Sequence, residues 1–260
     1  SLRIVLVCAE SNMVPAARQA ARQAEVILDA YLAHDVHERE HEIGAALDKA
    51  DVLIMSMINV DAACQSLTNL LRRRQPRFVL PIHCQPELLA FFRLDDFSGD
   101  MLHESGFLAR AGAALAEAGI RVPPVAAALL ATLPRALEHF PAVEPLVRLR
   151  PYAVAASLWQ QATPDHLERL FVYLNELASN DKEPPVPVID VQPRTALWHP
   201  AADQLFTSAD AYMRWYETFL GDRPVALADR PRVGVILFRQ LVLSGDTAHY
   251  RACIEALERA

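Results

Sequence analysis

The stretch Ala50-Asp51-Val52-Leu53-Ile54-Met55-Ser56-Met57 is the key to the architecture. Its apolar run is continuous rather than alternating, the pattern of a strand covered on both faces. Three more runs share that texture: Arg3–Ala9 (RIVLVCA), Arg77–Ile82 (RFVLPI) and Arg232–Phe238 (RVGVILF). Glu25–Tyr31 (EVILDAY) is a fifth strand candidate. Helical patterns lie between them. Pro15–Gln23 is rich in Ala, Arg and Gln, and Glu38–Ala50 puts Ile43, Ala46, Leu47 and Ala50 on one stripe. Asp61–Arg74 places Cys64, Leu67, Leu70 and Leu71 on one face. Strand–helix alternation at this spacing predicts an α/β fold with a parallel sheet and right-handed crossovers.

Beyond residue 105 the texture changes. Phe107–Ala118 and Val125–Phe140 are Ala/Leu-rich helices, and Leu146–Gln161 is a helix broken or kinked at Pro151. Thr163-Pro164-Asp165-His166 opens another, with Thr163 as cap, Pro164 at the first helical position and Asp165 at the positive dipole end. Leu167, Leu170, Phe171, Leu174 and Leu177 form its core face. Asn180–Pro193 carries Pro184, Pro185, Pro187 and Pro193 and reads as an extended connector. A helix starts near Ser208, with Tyr212, Trp215, Tyr216 and Phe219 facing inward, and a last one runs to Ala260. The expected organisation is an α/β amino-terminal domain over 1–105, a helical region over 106–180, a Pro-rich connector over 181–193, and the start of a second α/β domain over 194–260. The final strand–loop–helix unit ends on a helix with no glycine cap. It therefore reads as part of an unfinished layer, and the chain as the amino-terminal piece of a longer one.

Composition narrows the function. The 260 residues are 52% hydrophobic and 22% charged, with 25 Lys+Arg against 32 Asp+Glu and a net charge of -7. An acidic balance argues against nucleic acid, whose phosphates need a basic face. The basic run Arg72, Arg73, Arg74 with Arg77 reads as a solvated helix end. Four cysteines without CxxC spacing fit a reducing, cytoplasmic setting and no disulfide framework. No apolar stretch approaches the ~20 residues that span a bilayer. Neither GxGxxG nor GxxxxGK[ST] is present, so the sequence carries no recognised nucleotide loop.

Three constellations could carry chemistry. His37-Glu38-Arg39-Glu40-His41 is a literal HExxH, with two histidines for zinc and Glu38 as general base if all lie on one helix. A third ligand at the expected spacing would be position 47, which is Leu47. The zinc reading is disfavoured and a solvated helix start preferred. His83-Cys84 with Glu87 follows a strand and reads as structural. Arg239, followed by Ser244–Tyr250, lies beyond a strand end, where parallel α/β sheets bind ligands. There Asp246 or Thr247 can cap the next helix, His249 falls in its first turn, and Arg239 supplies a fixed charge. Arg239, Asp246, His249 and Tyr250 are thus the candidate ligand-binding residues, with capping and local packing as the alternative. The aromatic group from Trp198 to Phe219 could stack on a flat macrocycle or simply form core.

Several of these segments, in order, resemble the amino-terminal region of the porphyrin-binding H subunit of magnesium chelatase and, in the later segments, the large subunit of cobaltochelatase. They are Ala50–Ile54 with Ser56-Met57-Ile58; Phe92–Ser98; Ala156–Trp159 with Thr163–Glu168; Leu197-Trp198-His199-Pro200; and Pro231–Arg239 with Ser244–Tyr250. The resemblance implies a longer parent that binds protoporphyrin IX. A partner pair, the I and D subunits, would use ATP to drive Mg2+ insertion into that ring for (bacterio)chlorophyll biosynthesis. It implies no cofactor held in this region and a fragment inactive by itself. Alternatives are cobalt insertion for cobalamin and a non-catalytic α/β ligand-binding module. The sequence departs from the family pattern at Gln240-Leu241-Val242, where the family has Ser-His-Ile, and at Thr247, where it has Asp.

Overall fold

The computed structural model describes residues 1–103, 106–122, 126–136, 144–180, 182–221 and 233–259. The chain forms two units, Ser1–Ile189 and Asp190–Ala260.

The first unit is built on a six-stranded sheet ordered β2-β1-β3-β4-β5-β6. β1 (Arg3–Cys8), β2 (Ile27–Leu32), β3 (Val52–Ser56) and β4 (Phe78–Ile82) are parallel neighbours. Ile4 faces Val52, and Val52 faces Phe78. β3 and β4 are buried along their whole length, whereas β2, at the edge, is only partly covered. This is the α/β, parallel-sheet architecture the apolar runs predict. β5 (Arg93–Leu94) and β6 (Phe97–Ser98) then add antiparallel to β4. These two-residue strands turn through Asp95, whose φ is 55°. The Arg77 guanidinium grips the Asp95 carboxylate at 2.9 and 2.8 Å and holds its pKa below the usual carboxylate range.

α1 (Met13–Gln23) connects β1 to β2. After β2 the chain makes a 3₁₀ turn (Ala33–Asp35) and then α2 (Glu40–Leu47), followed after β3 by α3 (Asp61–Leu71). α2 and α3 cover one face, where Val5, Val7, Leu53, Met55 and Val79 meet Ile43, Leu47, Leu67, Leu70 and Leu71. Short helices α4 (Pro86–Leu89) and α5 (Gly99–His103) flank the β5–β6 hairpin. α6 (Phe107–Glu117) and α7 (Ala126–Ala136) follow. Residue 125 and residues 137–140 of the predicted helix Val125–Phe140 lie outside the described residues. The predicted helix over Leu146–Gln161 is two pieces, α8 (Glu144–Val147) and α9 (Arg150–Gln161). The break falls just before Arg150 because Pro151 has no N–H to give a preceding turn, and so it opens α9 instead.

α10 (Pro164–Ser179) starts as its sequence dictates: the Thr163 hydroxyl accepts from the His166 N–H, and Pro164 occupies the first turn. α10 packs along α1 and α9. Alternation along β1 and β3 turns Ile4, Leu6, Ile54 and Ser56 away from the α2–α3 face, and Trp159 of α9 reaches Ser56 there. The extended connector is tied down locally. Glu183 accepts from the Nε and Nη2 of Arg150 at 2.8 and 2.7 Å, and Arg169 donates to the Val188 carbonyl at 2.8 Å.

In the second unit Leu197 and Phe206 form an antiparallel bridge with hydrogen bonds of 2.8 and 2.9 Å. α11 (Ala209–Leu220) is capped by the Ser208 hydroxyl, which accepts from the Ala211 N–H. α12 (Arg239–Ser244) and α13 (Ala248–Arg259) follow, separated by Gly245 at φ 82°. The strand predicted over Arg232–Phe238 is not seen in its described part. Residues 233–238 carry no strand or helix assignment, and Ile236 is 99% and Phe238 75% exposed. An apolar run becomes a strand only where it pairs with another backbone, and no strand pairing of 233–238 is seen among the described residues. Arg232 lies outside the described residues. No helix among the described residues is long and apolar enough to cross a membrane.

Candidate functional site

In doubly wound sheets the crevice where strand order reverses is the usual ligand site. Here it lies beyond the carboxyl ends of β1 and β3. It is occupied by the chain's own side chains. The Trp159 indole Nε1–H donates to Ser56 Oγ at 2.9 Å, and Ser56 Oγ donates to the Glu10 carboxylate at 2.8 Å. Trp159 and Ser56 are both buried. At the end of β4 the buried Tyr152 hydroxyl donates to the Pro81 carbonyl at 2.8 Å. The His83 ring meets the Gln160 side chain at 3.1 Å, and the Cys84 thiol contacts the Met55 carbonyl at 3.4 Å. Burial drives the Cys84 thiol up to about 12, so it is no nucleophile near neutral pH. Glu87 is exposed. α9 thus closes the crevice, with His83 and Cys84 each bonded to a neighbouring group of the fold.

The HExxH does not assemble. His37 and Glu38 lie in the turn before α2, which starts at Glu40, so His37 and His41 do not share a helix face. His37 Nδ1 instead approaches Ser66 Oγ on α3 at 3.4 Å. Among the described residues no group of His, Cys, Asp or Glu is arranged to hold a metal ion.

The second unit contains a cavity of about 840 Å³. Its walls come from 193–199, α11, the extended run 233–237, α12 and α13. They are mostly apolar, with Trp198, Tyr212 and Tyr216 among them and Arg194, Arg239 and Glu258 as charged groups. Arg239, the first residue of α12, donates to the Pro193 carbonyl at 2.9 Å and to the Gln192 carbonyl at 3.2 Å. Partial burial lowers its pKa. The other three sequence candidates lie outside the lining. Tyr250 is next to it, its hydroxyl accepting from the Phe238 N–H at 3.1 Å. Asp246 and His249 are exposed, with the His249 ring 3.9 Å from that of Tyr250. Thr247, not Asp246, directly precedes α13, and its carbonyl accepts from the Arg251 N–H.

One group in this cavity has no counterpart among the candidates read from the sequence. His199 is 3% exposed, and its Nδ1 accepts from the Ala201 N–H at 3.1 Å. That geometry puts the ring proton on Nε2, which faces Glu258 Oε1 at 3.1 Å. The same carboxylate oxygen accepts from the Tyr216 hydroxyl at 2.7 Å. Trp215, Tyr216 and Phe219 lie around the His199 ring, with centroids 5.0, 5.7 and 5.1 Å away. These aromatics are not the fully inward core that their spacing predicts. They are half-buried or, for Phe219, exposed, and they gather around an imidazole. The Trp198-His199-Pro200 sequence was the available signal for His199. Glu258 gave none, because an acidic residue in a final helical turn looks like surface.

Comparison with known proteins divides the chain earlier than the two units do. The family described as CobN/Magnesium Chelatase matches residues 156–260. A family described as a domain of unknown function, DUF3479, matches residues 3–144, and the chain belongs to it. The chloroplastic ChlH protein of magnesium chelatase from Oryza sativa, in both the indica and japonica subspecies, is 25% identical over 246 residues, which is 88% of this chain and 17% of the relative. The magnesium-chelatase H subunit of Cereibacter sphaeroides is 28% identical over 136 residues, 50% of this chain and 10% of the relative. The chain resembles the amino-terminal region of these H subunits and spans under a fifth of the relatives' length. The CobN-type match begins inside α9, so α10 and half of α9 belong to it by sequence while packing within the first unit.

Proposed function

We propose that this chain is the amino-terminal part of the large, tetrapyrrole-binding subunit of an ATP-dependent metal chelatase. The observation that carries the reading is the pairing of the two family matches along one chain that also aligns, over most of its length, with a magnesium-chelatase H subunit. In this reading the parent holds protoporphyrin IX while Mg2+, a substrate, enters the ring. The I and D subunits hydrolyse ATP as partners in the cytoplasm, on a path to chlorophyll or bacteriochlorophyll. Stripping water from a magnesium ion is costly. A chain with no recognised nucleotide loop fits a division of labour in which partners supply that energy.

The cavity of the second unit is the part of this chain suited to a flat apolar ring. Its aliphatic and aromatic walls would pack the macrocycle, and Arg239 would offer charge to a propionate. Tyr250, bonded to the backbone just before Arg239, would position that residue. Asp246 and His249 would serve at the exposed rim.

Titration of the parent protein and of this 260-residue chain with deuteroporphyrin IX, followed by fluorescence quenching, tests the reading. Saturable binding by the parent is expected, with much weaker binding by the chain alone; a parent that does not bind porphyrin ends it. Because the matched family also names CobN, cobalt is the second reading. Insertion assays with Mg2+ and with Co2+ in the presence of the ATPase partners separate the two.

A further inference from the structure

Of the charged side chains in the cavity wall, two are engaged by the fold. Glu258 receives the His199 imidazole and the Tyr216 phenol on one oxygen. Arg239 spends guanidinium N–H groups on the Pro193 and Gln192 carbonyls. Arg194 differs from both. It lines the cavity, is exposed, and makes no side-chain hydrogen bond or ion pair among the described residues. It follows Pro193 directly, so the carbonyl that Arg239 holds at 2.9 Å belongs to the peptide bond leading into Arg194. Arg194 is thus rooted beside the Arg239 guanidinium, on backbone anchored before a ligand arrives, which removes part of the ordering cost of binding. An exposed arginine on an open surface is ordinarily just solvated and gains little from an anion. This one stands in a wall with Trp198 and Tyr212, where less water screens an ion pair. Two guanidinium groups against one carboxylate leave that wall net positive, in a chain whose overall charge is -7.

We propose that Arg194 is the carboxylate-recognition residue of this cavity, its guanidinium taking a carboxylate carried on the edge of the bound ring, so that the cavity selects acidic rings over neutral ones. The inference rests on the reading that this cavity holds a tetrapyrrole, and it adds a selectivity and a residue that the reading lacks. The planar guanidinium fork matches a carboxylate with two parallel N–H···O bonds, and the donors of Arg194 are unspent. A porphyrin with propionates on two adjacent pyrroles presents both along one edge. That edge fits the side of the cavity where Arg194 and Arg239 are rooted together, with Arg239 adding its charge through space while its N–H groups stay on the backbone carbonyls. The apolar body of the ring then lies against the aromatic wall.

The probes are deuteroporphyrin IX and its dimethyl ester, the same ring with both carboxylates made neutral. Affinities are measured by fluorescence titration in matched detergent on the parent protein and its variants. The wild-type parent is expected to bind the diacid about fivefold or more tightly than the ester, the factor that one partly exposed guanidinium–carboxylate pair supplies. Raising the salt concentration should narrow that ratio. Arg194→Gln is expected to erase most of it by weakening the diacid alone, and Arg194→Glu to turn the preference toward the ester. A structural role would instead move the melting temperature and both affinities together. Because Arg194 is exposed, neither substitution disturbs packing, and circular dichroism verifies that both variants are folded. A wild-type parent that binds both rings equally, or folded variants that keep the wild-type preference, overturns the inference and leaves the functional reading intact. Absence of any binding of either ring by the wild-type parent overturns the reading itself.

Discussion

Trp159 and Ser56, 103 residues apart in the chain, are joined by a 2.9 Å hydrogen bond from the indole Nε1 to the hydroxyl at the carboxyl end of β3. Ser56 in turn donates to Glu10 just beyond β1. The bond joins a helix matched in part by the CobN-type family to a sheet matched by the other family. It also closes the crevice where a doubly wound sheet ordinarily admits a ligand.

Trp159→Phe keeps the ring bulk but leaves the buried Ser56 without its donor. A loss of about 1–2 kcal/mol in unfolding free energy is expected. Trp159→Ala also opens a cavity and should cost about 3–5 kcal/mol. Urea denaturation followed by circular dichroism measures both. Equal, negligible losses would show that α9 is not latched through this residue.

The folding boundary should fall after α10 rather than at the edge of the family match. α10 lies along α1 and α9, and its Leu167, Leu170, Phe171 and Leu174 are buried in the first unit. A fragment of residues 1–149 loses α9 and α10, the packing partners of β4 and α1, and should fail to melt cooperatively, whereas 1–189 should melt in one transition. Calorimetry of the two fragments decides it.

Two thiols should be inert and contribute to alkaline sensitivity. Cys8 and Cys84 stand at about 12 against an ordinary 9.0, in both cases chiefly through burial. Iodoacetamide at pH 8 should label the exposed Cys253 and spare Cys8 and Cys84, as read by peptide mass spectrometry. The folded state holds these protons more tightly than the unfolded chain does. Their stabilising contribution is therefore complete below about pH 9 and is lost as pH rises from there through about 12. Cys8→Ala and Cys84→Ala, each compared with wild type, should flatten the fall in stability across that window.

Gly99 should not tolerate a side chain. A Cβ there would stand 2.5 Å from the Ala90 carbonyl oxygen, and the Gly99 N–H is already held by the Phe92 carbonyl at 2.7 Å. Gly99→Ala is expected to destabilise the β5–β6 region by about 1–3 kcal/mol, because backbone rather than a pliant side chain must move. Denaturant titration checks it. An unchanged midpoint would show that the α5 start shifts freely.

How much was legible depended on range. Val52–Ser56 and Phe78–Ile82 announced themselves because burial on both faces leaves an unbroken apolar run, and that pattern is local. Thr163 and Pro164 announced α10 because capping acts over three residues. β5 and β6 did not, since two residues carry no periodicity and exist only by pairing with β4. The HExxH misled because identity and spacing say nothing about where a helix begins, and α2 begins inside the motif. Arg239 was found from its place after an apolar run and does reach the cavity, whereas Glu258 was invisible until His199 and Tyr216 were seen to converge on it.

Neighbouring residues were enough to specify a layered α/β fold with a parallel sheet in the first part of this protein, because burial and capping are written locally. It took the folded chain to reveal that α9 shuts the crevice of that sheet and that an imidazole, a phenol and a carboxylate meet in a second-unit wall. Such meetings join side chains 42 and 59 positions apart, and no local preference of the backbone records which of them will touch.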